Sequence, residues 1–152
     1  MLFGICNLSI VPLRTSATDT SEMSSQLLFG EHFEVLEKQK DWSKIRLAFD
    51  HFEGFIDNKQ YLEISAACYT LICNETPSYS AEILDFVTHQ DNELTTIAIG
   101  SQLPFLKEGQ LKLESHSYRY ENSIFHGKLS KNDLLKTAFT YLNSPYLWGG
   151  KT

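Results

Sequence analysis

Cysteines and histidines are the residues of this sequence best suited to chemistry. Cys6, Cys68 and Cys73 are odd in number, and the closest pair, Cys68 and Cys73, has four residues between its members. No second pair completes a zinc-ligand set, and free buried thiols are the plain reading. His32, His51, His89, His116 and His126 stand singly, with neither an HExxH pattern nor paired helical spacing. Neither a metal nor another cofactor is therefore expected. Gly149-Gly150-Lys151-Thr152 suggests a phosphate cradle, but that pattern needs a glycine five residues before Gly150, where Pro145 stands. It also needs a strand in front, where the pattern reads as a helix, so nucleotide binding is set aside.

The elements around these residues read mainly as short strands. Between Cys6 and Ile64, brief apolar runs are cut by turn residues. Ile10 to Arg14 is read as a first strand, Thr15 to Ser25 as a polar loop, and Gln26 to Glu31 as a return to the core. His32 to Glu37 and Trp42 to Ala48 flank the charged turn Lys38 to Asp41 and are expected to form a hairpin. Asp50-His51 turns the chain into Phe52 to Asp57. Ser65-Ala66-Ala67 reads as a connection to a second unit. There, Thr76-Pro77-Ser78 offers an N-cap with proline at the first helical position, and Ile83, Leu84 and Val87 share a helical face. Strands are expected again over 95–100, 103–106 and 110–116, with Tyr118-Arg119-Tyr120 next and the unit ending near Gly127. Ser130 caps a last, amphipathic helix bearing Leu134, Leu135, Ala138, Phe139 and Leu142, which Pro145 stops.

Composition narrows the function. A net charge of −6, with 13 basic against 19 acidic residues, gives no basic stripe for a phosphate backbone, so no nucleic-acid partner is expected. The first residues carry no basic leader and the apolar stretch there is too short to span a bilayer. No membrane association is expected, and a cytoplasmic location is. The 152 residues permit one domain or two small ones, and strand spacing favours two tandem β units over a single sandwich. The abundant aromatics, at 12% of the chain, suit compact β units and shallow binding sites.

Several segments read together resemble a known family. Leu13-Arg14, the run Ser21-Glu22-Met23 through Gly30-Glu31, Asp41-Trp42 and Glu53-Gly54-Phe55-Ile56 resemble the bacterial SH3-like domain. Ser144-Pro145-Tyr146-Leu147-Trp148-Gly149-Gly150 resembles the lead-in to the NlpC-type papain-like peptidase domain. Together they are similar to the N-terminal part of the γ-D-glutamyl-L-diamino-acid endopeptidases, the dipeptidyl-peptidase VI group. The resemblance implies a mainly β fold of two tandem small SH3-like β-barrels, over 1–64 and 67–127. Over 130–152 it implies a C-terminal amphipathic helix that begins a missing papain-like α+β domain, the expected partner of these residues.

The family's catalytic cysteine and histidine lie downstream of the Trp-Gly-Gly element. No catalytic residue is therefore assigned, and these 152 residues are expected to lack peptidase activity. What the resemblance implies is substrate gating: admission of murein peptides of the form L-Ala-γ-D-Glu-diamino acid with a free N-terminal alanine, in peptidoglycan peptide recycling. Glu22 matches the recognition carboxylate, Phe52 walls the pocket where relatives carry tyrosine, and Tyr146 matches a substrate-contacting tyrosine. Phe52 lacks the hydroxyl, and Phe55 stands where tryptophan is usual. The alternative is a non-catalytic, stand-alone SH3-like module binding a cell-wall peptide or a protein partner.

Overall fold

The computed structural model describes residues 1–151. Its first seven strands are β1 (Leu2–Ile5), β2 (Ile10–Arg14), β3 (Met23–Leu28), β4 (His32–Lys38), β5 (Trp42–Leu47), β6 (Glu53–Asp57) and β7 (Leu62–Ile64). They form one antiparallel sheet in the order β3-β2-β6-β5-β4-β1-β7. Helix α1 (Ala66–Asn74) follows, then β8 (Ser78–Ser80), β9 (Leu84–His89), β10 (Leu94–Ala98), β11 (Gln110–Leu113), β12 (His116–Arg119), β13 (Ile124–His126) and α2 (Lys131–Thr140). Four of these strands make a sheet ordered β10-β9-β12-β11, while β13 pairs with β8 as a separate ribbon.

The fold is mainly β, as expected, but its sheets do not close into barrels. β3 and β7 are the free edges of the seven-stranded sheet, and the following unit is divided between a sheet and a ribbon. Register shifts at Leu13/Arg14 and between Val35 and Glu37 coil the first sheet. That lets its inner face wrap a core of Val11, Leu13, Leu27, Phe33, Ile45 and Ile56.

β1 was not expected as a strand. It lies between β4 and β7, with Phe3 and Ile5 facing one core and Gly4 facing the rings of the other. Phe3 and Ile5 join Phe29, Ile64, Ile72, Val87, Ile97 and Tyr118 in a cluster shared by both units, whereas Cys6 turns to the first core. Gly4 is required between them, because a Cβ there would lie 2.5 Å from the Phe33 ring and 2.8 Å from Tyr61. The units are further joined where Gln102 N–H donates to the Phe29 carbonyl at 2.8 Å. Phe29 is fully buried, with its ring edge-on to Tyr118 at 5.4 Å. Burying a phenylalanine of this kind contributes about 2–3 kcal/mol, so the junction is part of the fold's stability.

The expected connection at 65–67 is the start of α1. Ser65 caps it by accepting from Cys68 N–H, and Tyr69 stacks on Phe3 at 4.2 Å. The helix expected from Thr76 is instead β8 and β9. Asp85 and Val87 point inward and Leu84 and Phe86 outward, so a two-residue period had passed for a helical face. Asp85 is buried because it accepts from Tyr120 Oη at 2.8 Å, Asn122 Nδ2 at 2.6 Å and Phe86 N–H at 2.8 Å. Residues 103–106 form a turn, with Phe105 at a φ of 58°, rather than a strand. The alternating run 110–116 breaks at Glu114, whose φ of 55° folds it into the β11–β12 hairpin. The terminal helix is present: Ser130 Oγ accepts from Asp133 N–H at 3.2 Å, and the helix ends before Pro145. Among the described residues no helix is long and apolar enough to cross a membrane.

Candidate functional site

The site is built where the last described residues return to the first sheet. The loop leading to β3 is braced by Arg14 Nη1–H donating to the Ser21 carbonyl at 2.8 Å and Thr15 N–H donating to the Glu22 carbonyl at 3.0 Å. Ser21 Oγ lies 2.9 Å from both the Ser16 and Thr18 carbonyls. This bracing holds Glu22 at the start of β3, where its Oε1 accepts from Trp148 Nε1–H at 2.6 Å. Gly149, at a φ of 72°, lies so close to β3 that a Cβ would be 2.4 Å from the Met23 carbonyl oxygen. Two residues on, Lys151 N–H donates to Gln26 Oε1 at 2.8 Å, and its Nζ reaches Glu31 Oε1 at 2.7 Å. Glu31 is thus a half-buried anchor, held in turn by Leu28 N–H at 2.9 Å.

Beside this tail is a pocket of about 360 Å³. Glu31 and His32 form one wall, while Leu47, Phe49 and Asp50 come from the β5–β6 turn. Tyr79, Gly100 and Gln102 close it from the second unit, with Lys151 at the margin. The turn is set by Leu47 N–H donating to the Phe52 carbonyl at 2.9 Å and by Asp50 Oδ1 accepting from Phe52 N–H at 3.0 Å. His51 sits at its tip with a φ of 61°. The walls are largely apolar, and with Glu31 paired to Lys151 the Asp50 carboxylate is the one left to meet a ligand's ammonium group. Among the described residues no three His, Cys, Asp or Glu side chains converge as a metal-ligand set.

The expected site residues fall around this pocket rather than in it. Glu22 is engaged by Trp148. Phe52 is 40% exposed on the turn that carries Phe49 and Asp50, and Tyr146 is 83% exposed on the tail. None of the three lines the pocket. The residues that do come from both units, and of these Asp50 was read from sequence only as part of a turn. His32, Tyr79 and Gln102 carried no local signal, because only the docking of the second unit brings them to the first sheet.

Comparison with known proteins gives the class first. Residues 13–60 match the family model described as the bacterial dipeptidyl-peptidase SH3 domain, a span that runs from β2 through β6 and includes Glu22, Glu31, Asp50 and Phe52. Among solved structures, the chain is similar to an NlpC/P60 family protein from Bacillus cereus ATCC 10987, with a TM-score of 0.75 and 16% sequence identity. That alignment covers 97% of this chain and 66% of the Bacillus chain, so the residues here span just under two thirds of that neighbour. No curated protein matches the sequence. The matched region is similar to the bacterial dipeptidyl-peptidase SH3 domain, and the fold as a whole is similar to that of the NlpC/P60 neighbour.

Proposed function

We propose that residues 1–151 are the substrate-gating region of a cysteine endopeptidase that cleaves the γ-D-Glu to diamino-acid bond of murein peptides with a free N-terminal L-alanine. In this reading the peptide's ammonium meets Glu22, Phe52 walls its side chain and Tyr146 contacts the peptide, while catalysis belongs to a papain-like domain. A cytoplasmic role in recycling peptidoglycan peptides accompanies it. The observation that supports the reading is the Trp148–Glu22 hydrogen bond. It joins the SH3-like motif to the Trp-Gly-Gly motif across 126 positions of sequence, so the two motifs meet at Glu22 and Trp148.

Calorimetric titration with L-Ala-γ-D-Glu-diaminopimelate tests it. Saturable binding is expected, with a tenfold or larger loss on N-acetylation or in Glu22→Gln, since a hydrogen bond to a charged group contributes about 1.5–3 kcal/mol. Equal affinity for free and acetylated peptide would remove the gating role.

A second reading is favoured by the pocket itself, which carries Glu31 and Asp50 but none of the three assigned residues. It is a non-catalytic module that holds a cell-wall peptide or a protein segment there. Binding lost in Asp50→Asn but kept in Glu22→Gln selects this reading over the first.

A further inference from the structure

The three cysteines occupy different environments. Cys6 is fully buried, its Sγ 3.3 Å from the Leu8 carbonyl, and burial pushes its thiol up to about 12. Cys68 is half-buried on α1, and burial raises its thiol as well. Cys73, in the last turn of α1, is exposed, and its Sγ lies 3.4 Å from His32 Nε2.

His32 is well placed to act on that thiol. Its ring is half-buried at the start of β4 and packs edge-on against Tyr69, with centroids 5.4 Å apart and an interplanar angle of 70°. Burial lowers its pKa, which keeps the imidazole neutral near pH 7 and leaves a ring nitrogen able to accept a proton. The pair opens on a cleft of about 200 Å³, whose other walls include Phe49, Glu75, Tyr79 and Gln102. A thiol, a neutral base at hydrogen-bond distance and a space for the incoming group are the components of an activated sulfur nucleophile.

We propose that Cys73 and His32 form a thiol–disulfide exchange site for small neutral or cationic disulfides, with the cleft receiving the transferred half. The Cys73 proton passes to His32 Nε2, and the thiolate attacks one sulfur of the disulfide RS–SR. A Cys73–S–S–R bond forms as the reagent's S–S bond breaks. The departing RS⁻ takes the proton from the imidazolium and leaves as RSH. Cys73 is oxidised and the disulfide, which is the oxidant, is reduced. The negative charge of Glu75 disfavours anionic disulfides.

The test uses bis(2-hydroxyethyl) disulfide on the intact chain at pH 7, with N-acetylcysteine in the same tube as a reference thiol and peptide mass mapping as the readout. Cys73 is expected to react before Cys68 and Cys6, and at least about tenfold faster than the reference, under the ~10²–10⁴-fold that general-base assistance typically supplies. Cys73→Ser should abolish the first adduct. His32→Gln should bring the Cys73 rate to that of the reference, and folding of this variant is checked by circular dichroism. Should that variant fail to fold, the comparison of Cys73 with the reference in the unmodified chain decides by itself. A Cys73 rate at or below the reference, or first reaction at Cys68, overturns the proposal. So does an unchanged rate in a folded His32→Gln protein.

Discussion

Replacing Gly149 with alanine is expected to release the tail from β3 while leaving the sheets intact. At a φ of 72° the backbone is in the region that disfavours any side chain, at a cost of about 1 kcal/mol. The new Cβ would lie 2.4 Å from the Met23 carbonyl oxygen, and the obstacle is backbone rather than a side chain able to turn aside. Relieving the contact displaces Gly149 by nearly 1 Å, enough to break the 2.6 Å Trp148–Glu22 hydrogen bond. That bond contributes about 1.5 kcal/mol at this exposed position, and the partly exposed Lys151–Glu31 pair about 1 kcal/mol or less. Strain and lost bonding together reach about 3 kcal/mol, a roughly 150-fold shift from docked to undocked tail. The assay is the Trp148 indole N–H resonance with amide exchange at Lys151. In Gly149→Ala the resonance should move to the position it takes in Glu22→Ala, which removes the acceptor, and Lys151 should lose protection, while resonances of β4 and β5 stay in place. An unmoved indole resonance with Lys151 still protected would refute the docking geometry.

Three other outcomes follow from the packing. Gly4→Ala forces a methyl group against Phe33 and Tyr61 and should lower stability by about 1–3 kcal/mol, seen as a lower urea midpoint. Asp85→Ala leaves Asn122 Nδ2 without its acceptor and Tyr120 Oη with the Ser123 carbonyl alone, and should cost about 1–3 kcal/mol in the same measurement. Because burial raises the Cys6 thiol from 9.0 to about 12, the folded state holds that proton more tightly than the unfolded chain. Its contribution is complete below pH 9 and is lost as pH rises towards 12, about 4 kcal/mol at roughly 1.4 per unit. Cys6→Ala should flatten the alkaline decline in denaturant midpoint between those limits, and an unchanged slope would count against the assignment.

Legibility in the sequence followed the range of the forces involved. The β4–β5 hairpin and α2 were readable because their signals are local: a charged turn between alternating runs in one, and Ser130 with a 3.6-residue apolar stripe in the other. β1 was not, since its glycine looks unfavourable for a strand until the rings of Phe33 and Tyr61 show what the missing side chain makes room for. α1 was hidden by composition, with a single buried residue, Ile72, and no strong apolar face. β9 was misread because a buried carboxylate, Asp85, occupies an inward position and an exposed Phe86 an outward one, the reverse of the usual code. At the site, Glu22 and the Trp-Gly-Gly run were each visible as motifs. Their contact is tertiary, as is the pocket assembled from His32, Asp50, Tyr79 and Gln102.

The placement of β1 also bears on how the chain reaches this state. Leu2–Ile5 leaves the ribosome ahead of every partner it needs: β4 ends at Lys38, β7 at Ile64, and the aromatic cover over Phe3 and Ile5 extends to Tyr120. An apolar segment made before its partners must therefore wait for them. Its pairing depends on contacts distant in sequence, a class of contact that forms slowly. During synthesis Phe3 and Ile5 are exposed hydrophobic surface, the time at which a holding chaperone or a solubilising N-terminal fusion has most effect on yield. Once β7 and the second unit are in place, the same strand fastens both cores, and neither can open along it without disturbing the other.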